Sequence, residues 1–322
     1  MFLSRFGRLK SFFLVAGRGK HNKHKGYGFV EFAEVKDTKK VLLESGQHKL
    51  DGRRIRFNFT RGGSATDIKT KMSCWFCLDN PEADKSLVVH ETPEVYLALD
   101  KGPIDKFHFL AVPQAHKKSQ LHLSAPESSA LNQLDLQLRE FFQAEKKAFI
   151  KYEQCFRLSQ GVSHMLTHYI SLPAEKFDTL ETIFLLNVKD TKLEFFELKE
   201  GETLSSFLGT DKERFFASVT FYDPVANQSK QRVSLLSEAL AGKMPHDFMR
   251  QFICRILELP DKVNWKDCVR PQEEITFLQQ RMRKFFDSWT TRHQQSSESK
   301  LDLQSLQTQL DQKKQQLMQL EH

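Results

Sequence analysis

The sequence predicts an α+β protein of about two domains, and three observations carry that expectation. The chain has 322 residues, roughly twice the size of a common domain. Hydrophobic residues make up 39% and charged residues 28%, which supports a packed core and excludes global disorder. Strand-type runs such as Gly26–Phe32, Phe107–Val112 and Phe216–Tyr222 stand among helix-type runs such as Ala33–Ser45, Pro126–Phe149 and Met244–Leu259. No apolar run reaches the roughly 18 residues that a membrane helix needs, so no membrane partner is expected. Met1–Val15 alternates Phe and Leu with Arg and Lys, no small-residue cleavage site follows, and no secretory signal is expected. Five cysteines, two of them in one C-x-x-C, fit a reducing compartment with a metal or redox pair better than a disulfide framework.

Charge is unevenly placed. Residues 1–71 hold 17 Lys and Arg against 6 Asp and Glu, a net of +11. The remainder holds 31 against 35, a net of −4. A basic segment this concentrated favours a polyanion partner, because each cation near a phosphate releases a counterion. A solvated basic face would give the same count, so the motif inside the segment decides.

Within residues 1–62, Leu9–Val15 reads as a strand and Gly17–Lys25 as a Gly-rich basic loop. Gly26–Phe32 is a second strand, and Ala33–Ser45 carries Val35, Val41 and Leu42 at helical spacing. Asp51-Gly52 signals a turn, and Arg53–Phe59 alternates basic and apolar residues like a strand. Lys25-Gly26-Tyr27-Gly28-Phe29-Val30-Glu31-Phe32 matches the RNP1 octapeptide at every position, so the segment resembles an RNA recognition motif. The resemblance implies Lys25, Tyr27 and Phe29 as RNA-binding residues. On a strand these three share one face, where two rings can stack on unpaired bases and Lys25 can reach a phosphate. Val30 and Phe32 then turn toward the helix. A hydrophobic hairpin with exposed aromatics is the simpler alternative. The resemblance covers only the second to fourth strands and the second helix of the module, with Phe2–Phe6 at the tail of the first helix. The expected sheet lacks a central strand, through a truncated product or gene model or because a partner fills the gap, and weak RNA affinity is expected.

Gly62-Gly63-Ser64 opens a flexible linker, residues 63–72. Cys74-Trp75-Phe76-Cys77 follows, then strand-like Val95–Leu99 and Phe107–Val112. Pro126–Phe149 is expected as one amphipathic helix, with Leu131, Leu134, Leu138, Phe141 and Phe142 on its apolar face. His164-Met165-Leu166-Thr167-His168-Tyr169-Ile170 reads as a strand ending before Pro173. Two thiols at this spacing can grip one ion from a tight turn, and a structural zinc site needs four soft or borderline ligands in a tetrahedron. A redox pair and a pair of buried thiols stay open beside it, and His90, His108 and His122 compete as ligands. Cys155, Cys254 and Cys268 are expected as packing residues.

The C-x-x-C, the strand running into Leu110-Ala111-Val112-Pro113-Gln114-Ala115-His116, the helix and the strand with spaced histidines resemble the HIT superfamily. Cys-Trp-Phe-Cys-Leu in this layout resembles more narrowly the CwfJ family, associated with the spliceosome and with turnover of lariat intron RNA. The resemblance implies a HIT-like domain over residues 73–215. From zinc-bearing HIT members and the related galactose-1-phosphate uridylyltransferases, it implies Zn held by Cys74, Cys77, His116 and His164. It also implies a triad whose middle His attacks phosphorus and becomes a nucleotidyl-His. Here the triad positions read His164, Leu166, His168, and Leu166 has no lone pair to attack with. CwfJ proteins generally lack a full triad, so a non-catalytic binding scaffold is expected. The alternative is a nucleotidyl hydrolase or transferase, or an RNA-end-processing enzyme, that uses His168 as a displaced nucleophile.

Further on, Ile183-Phe184-Leu185-Leu186 and Leu193–Leu198 read as a strand pair or as a helix and a strand. Phe216–Tyr222 is a strand, and Met244–Leu259 a helix with Phe248, Phe252, Ile256 and Leu259 on one face. Pro260–Cys268, ending in Trp-Lys-Asp-Cys and leading to a helix with Arg281, Arg283 and Lys284, resembles the CwfJ C-terminal domain, residues 216–290. Residues 291–322 form a polar tail with Leu303, Leu306, Leu310, Leu317 and Leu320 at heptad places, for a coiled-coil contact with a second copy or for docking on a partner. Family members often carry a metallophosphatase-like domain ahead of the HIT-like part, and residues 1–71 show no such Asp/His pattern. The whole resemblance implies a nuclear RNA-processing accessory protein. Its implied partners are single-stranded intron or lariat RNA and spliceosomal or debranching-enzyme proteins.

Overall fold

A computed structural model describes residues 2–15, 24, 26–57, 74–80, 82–156, 164–199, 201–223 and 226–293. Lys25, the linker 63–72 and the heptad-patterned leucines of the tail lie outside the described residues. The chain divides into two compact units, residues 1–84 with 160–164, and residues 85–159 with 165–322.

In the first unit, β1 (Leu9–Leu14) pairs antiparallel with β2 (Gly28–Phe32), and α1 (Val35–Leu43) follows. A hairpin of β3 (His48–Leu50) and β4 (Arg53–Ile55) comes next. Its turn residues Asp51 and Gly52 both have positive φ, 48° and 76°, which matches the hand of a tight two-residue hairpin turn. The expected order of strand, strand, helix, strand therefore gains one short strand; of the strand expected over Arg53–Phe59, Arg53–Ile55 forms one, Arg56 and Phe57 do not, and residues 58 and 59 lie outside the described residues. Among the described residues the two hairpins form separate two-stranded sheets. As expected, Val30 and Phe32 face the helix: Phe6, Phe32 and Val41 are buried together, with Phe2, Leu9, Leu42 and Phe57 packed around them. Gly28 lies so close to the Phe13 carbonyl that a Cβ would not fit, which explains the glycine inside a strand.

The second unit is built on one sheet of eight strands: β5 (Val88–Glu91), β6 (Val95–Leu99), β7 (His108–Pro113), β8 (Lys147–Cys155), β9 (Thr167–Pro173), β10 (Phe196–Glu197), β11 (Phe215–Asp223) and β12 (Gln228–Leu236). Their order across the sheet is β10-β12-β11-β8-β9-β7-β6-β5, antiparallel throughout. The expected α+β class holds. On one face lies α2 (Ala125–Ala144), whose Phe141 and Phe142 pack against Phe109, and Phe285 of α5 (residues 272–293) packs against Phe141. On the other face α3 (Phe177–Val188) and α4 (Phe248–Ile256) bury Phe184, Phe252 and Ile253 against Ile150, Ile170 and Val219.

Helix α2 begins where its chemistry demands. Ser124 and Glu127 form a reciprocal capping box, and a Pro occupies the first turn. It ends at Ala144, five residues before the expected end. Lys146 adopts a left-handed φ of 52°, which closes the helix and turns the chain into β8. Ala148, Phe149 and Ile150 extend the apolar run of the helix in sequence, yet all three are buried in a central strand. A strand covered on both faces loses the alternation that would identify it. Between Asp178 and Phe216 the helix-and-strand reading holds, as α3 and the short β10. The helix expected over Met244–Leu259 contracts to Phe248–Ile256. Strand β12 has a polar, largely exposed first half, and its sequence carries no strand signal there.

Candidate functional site

The two cysteines of the first unit sit on a tight turn held by backbone groups. The Phe76 N–H donates to Cys74 Sγ at 3.4 Å, and the Asn80 N–H donates to the Cys77 carbonyl at 2.8 Å. Asn80 is 1% exposed; its Nδ2 donates to the Cys74 carbonyl at 2.8 Å and its Oδ1 accepts from the Glu82 N–H. One amide thus clasps both ends of the turn, a role the sequence reading missed because a lone Asn after a C-x-x-C carries no distinct signal. His164 approaches the pair, with its Nδ1 3.5 Å from each sulfur. Cys74, Cys77 and His164 of the first unit thus bring two sulfurs and one imidazole nitrogen together, while His116 belongs to the second unit. Sulfur and imidazole donors suit a borderline-soft divalent cation.

The competing histidines are engaged in other ways. His90 stacks on Phe286 with ring centroids 3.9 Å apart. His122 Nδ1 lies 3.1 Å from Ser119 Oγ and its Nε2 3.3 Å from Glu213 Oε1. Burial pushes the Cys155 thiol up to about 12 and the Cys254 thiol up to about 11, which keeps both protonated and in character with packing residues.

A second constellation, in the second unit, gathers Asp100, His108 and His168. The sheet register makes it: His168 on β9 stands opposite Leu110 on β7 and Tyr152 on β8. The Tyr152 ring stacks on His168 at 4.3 Å and 7°. His108 Nε2 lies 3.0 Å from His168 Nδ1 and 3.6 Å from Asp100 Oδ2. His108 Nδ1 accepts the Ile104 N–H at 3.1 Å, and Asp100 Oδ1 accepts the Gly102 N–H at 2.8 Å. Burial, then the neighbouring His108, pushes the His168 imidazole down to about 3, and burial holds His108 well below the usual range. Both rings are therefore neutral at physiological pH. Burial raises the Asp100 carboxyl. Sequence reading named His168 but did not join it to His108 or Asp100, because β-register alone brings them together. Leu166, two residues before His168, is half-buried.

On the β1–β2 hairpin of the first unit, Phe29 stacks on Phe13 with centroids 5.1 Å apart and planes at 27°. Tyr27 meets Phe29 edge-on at 6.3 Å. Phe13 is the cross-strand partner of Phe29, so it adds a third ring to the two read from the octapeptide. Its signal in the sequence was present but ambiguous, since Phe12 and Phe13 are adjacent and only the register decides which ring turns to this face.

Residues 64–185 match the family described as protein similar to CwfJ C-terminal, and residues 1–56 match the RNA recognition motif family. CWF19-like protein 1 of Mus musculus is 26% identical over 218 residues, covering 66% of this chain and 38% of that protein. Zinc finger CCCH domain-containing protein 64 of Arabidopsis thaliana is 26% identical over 218 residues, covering 67% of this chain and 35% of that protein. The chain thus spans under two fifths of the length of these curated relatives. Among solved structures, yeast Ap4A phosphorylase Apa2 aligns with a TM-score of 0.28 at 16% identity, over 58% of this chain and 79% of that one. The octapeptide, the Cys-Trp-Phe-Cys turn and the matches to these relatives lead to one conclusion: residues 64–185 are similar to the CwfJ family, and residues 1–56 ahead of them are similar to the RNA recognition motif.

Proposed function

We propose that the chain is a non-catalytic RNA-processing accessory protein that works in the nucleus with splicing or lariat-debranching partners. The observation that carries the proposal is the ring cluster of Phe13, Tyr27 and Phe29 on the most basic segment of the chain. Aromatic faces stack on any unpaired base, and surrounding cations supply a sequence-independent attraction to phosphates. The expected ligand is single-stranded RNA, with Lys25 at a phosphate. Titration of the full chain with a fluorescent single-stranded RNA tests this. Binding weakened by salt and by Tyr27→Ala and Phe29→Ala supports it, and no saturable binding at low salt overturns it.

Zn is the proposed occupant of the Cys74, Cys77, His116 and His164 group. A tetrahedral zinc with bonds of about 2.3 Å to sulfur and about 2.0 Å to nitrogen has an S···N edge of about 3.5 Å. The two sulfurs lie 3.5 Å from His164 Nδ1, so the donors fit the ion. When bound, zinc supplies folding energy rather than chemistry, because four protein ligands leave no open position.

The enzymatic alternative keeps one supporting observation, the convergence of Asp100, His108 and His168. It requires turnover of capped, adenylylated or lariat-derived substrates that is abolished by His168→Ala. Absence of turnover with all three classes removes it.

A further inference from the structure

Asp100, His108 and His168 have the residue types of a cation site, but their hydrogen bonds assign them another role. The assignment starts at a backbone amide. The Ile104 N–H can only donate, so the nitrogen it meets, His108 Nδ1 at 3.1 Å, presents a lone pair. In a neutral imidazole the proton then sits on the other nitrogen, His108 Nε2. That atom lies 3.0 Å from His168 Nδ1 and 3.6 Å from Asp100 Oδ2, two acceptors. His168 Nδ1 is therefore a lone pair too, and the proton of His168 is on Nε2. A metal ion on His108 Nε2 would need the lone pair there, which would place an Nδ1–H against the Ile104 N–H. Two donors would then face each other inside a residue with no exposed side-chain surface. The Tyr152 ring, stacked at 4.3 Å and nearly parallel, fixes the plane of His168. His168 keeps 16% of its side chain exposed, and its Nε2 has no hydrogen-bond partner among the described residues.

We propose that the Ile104 N–H sets the proton on both rings through His108, a positioning residue, so that His168 presents a fixed Nε2–H donor. The ligand atom that meets it is a hydrogen-bond acceptor oxygen, and Nε2 neither attacks phosphorus nor takes a proton. This rests on the non-catalytic reading and names the device that keeps the site silent in addition to Leu166. The nearby charges do not disturb the assignment. Arg250 and Arg270, the cations closest in their influence, spend guanidinium N–H groups on the carbonyls of Lys262, Val263 and Lys106.

Long-range proton–nitrogen NMR correlation on the ¹⁵N-labelled full chain at neutral pH reads the tautomers directly. The expected result is a protonated Nε2 and an unprotonated Nδ1 for both His108 and His168. In His108→Gln the side-chain oxygen can accept the Ile104 N–H and the amide N–H can donate to His168, so the His168 pattern is retained. In His108→Phe that donor is gone, and His168 shifts to a mixture of tautomers. An Nδ1–H tautomer or an imidazolium at either ring in the unmodified chain overturns the proposal, whether or not the variants fold. So does a His168 pattern unchanged in a folded His108→Phe. Loss of RNA binding by the aromatic face would leave these spectra unaltered, so failure of the functional reading is distinguishable.

Discussion

Cys74 Sγ lies 3.5 Å from His164 Nδ1, although 90 residues separate them in the chain. Such a contact between a thiol and an imidazole, repeated at the same distance by Cys77, is the edge length of a tetrahedral zinc site. Purified protein is expected to carry one zinc per chain by element analysis, and Cys74→Ser and His164→Ala to carry far less. Stripping the ion with a chelator should lower Tm by at least about 5 °C, since structural zinc contributes directly to folding. Full retention of Tm in metal-free protein would sink the assignment.

The stacked pair Phe13 and Phe29 sets the second expectation. Replacing Tyr27 or Phe29 with Ala should cost roughly 1–3 kcal/mol of affinity for single-stranded RNA, about 5- to 150-fold in Kd. Lys25→Ala should instead reduce the slope of log affinity against log salt by about 1. Equal affinity of all three variants with the unmodified chain would point to these rings packing against a protein.

Glu153 supplies a pH signature. It is 2% exposed and accepts from the Gln120 backbone N–H at 3.0 Å and its side-chain Nε2 at 2.7 Å. Burial outweighs both donors and raises its carboxyl to about 7. A carboxyl that holds its proton more tightly when folded stabilises the fold fully below its ordinary value of 4.5, and that contribution is lost as pH rises toward 7. Glu153→Gln should remove this slope. Between pH 4.5 and 8 the unmodified chain should lose up to about 3 kcal/mol more than the variant in urea unfolding. Parallel curves for the two proteins would refute the account.

Asp135 shows the opposite case. Burial opposes its ionisation, but Lys151 Nζ at 2.8 Å, Arg139 Nε at 2.9 Å and the Tyr169 hydroxyl at 3.1 Å hold the carboxyl below its ordinary range. Its contribution is present at neutral pH and is lost as acid titrates it. Asp135→Ala leaves Lys151 and the buried Tyr169 hydroxyl without this acceptor and should cost about 3–5 kcal/mol. A loss under about 1 kcal/mol in chemical denaturation would show that water replaces the carboxylate.

Short-range patterns made much of this protein legible in its sequence. The octapeptide placed Tyr27 and Phe29 on one strand face, the C-x-x-C announced a thiol pair, and helical spacing found α2 and α4, because each depends only on residues within a few turns of one another. The ends of those helices were misjudged where a single left-handed residue, Lys146, overrode an apolar run that suits either element. Strand β8 was hidden by burial on both faces. What only the tertiary structure decided is pairing: which ring of Phe12 and Phe13 joins Phe29, that Asn80 clasps the cysteine turn, and that His108 meets His168. Sheet register and loop closure set those distances to fractions of an ångström, and the protons on the two imidazoles follow from one backbone N–H that no sequence pattern reveals.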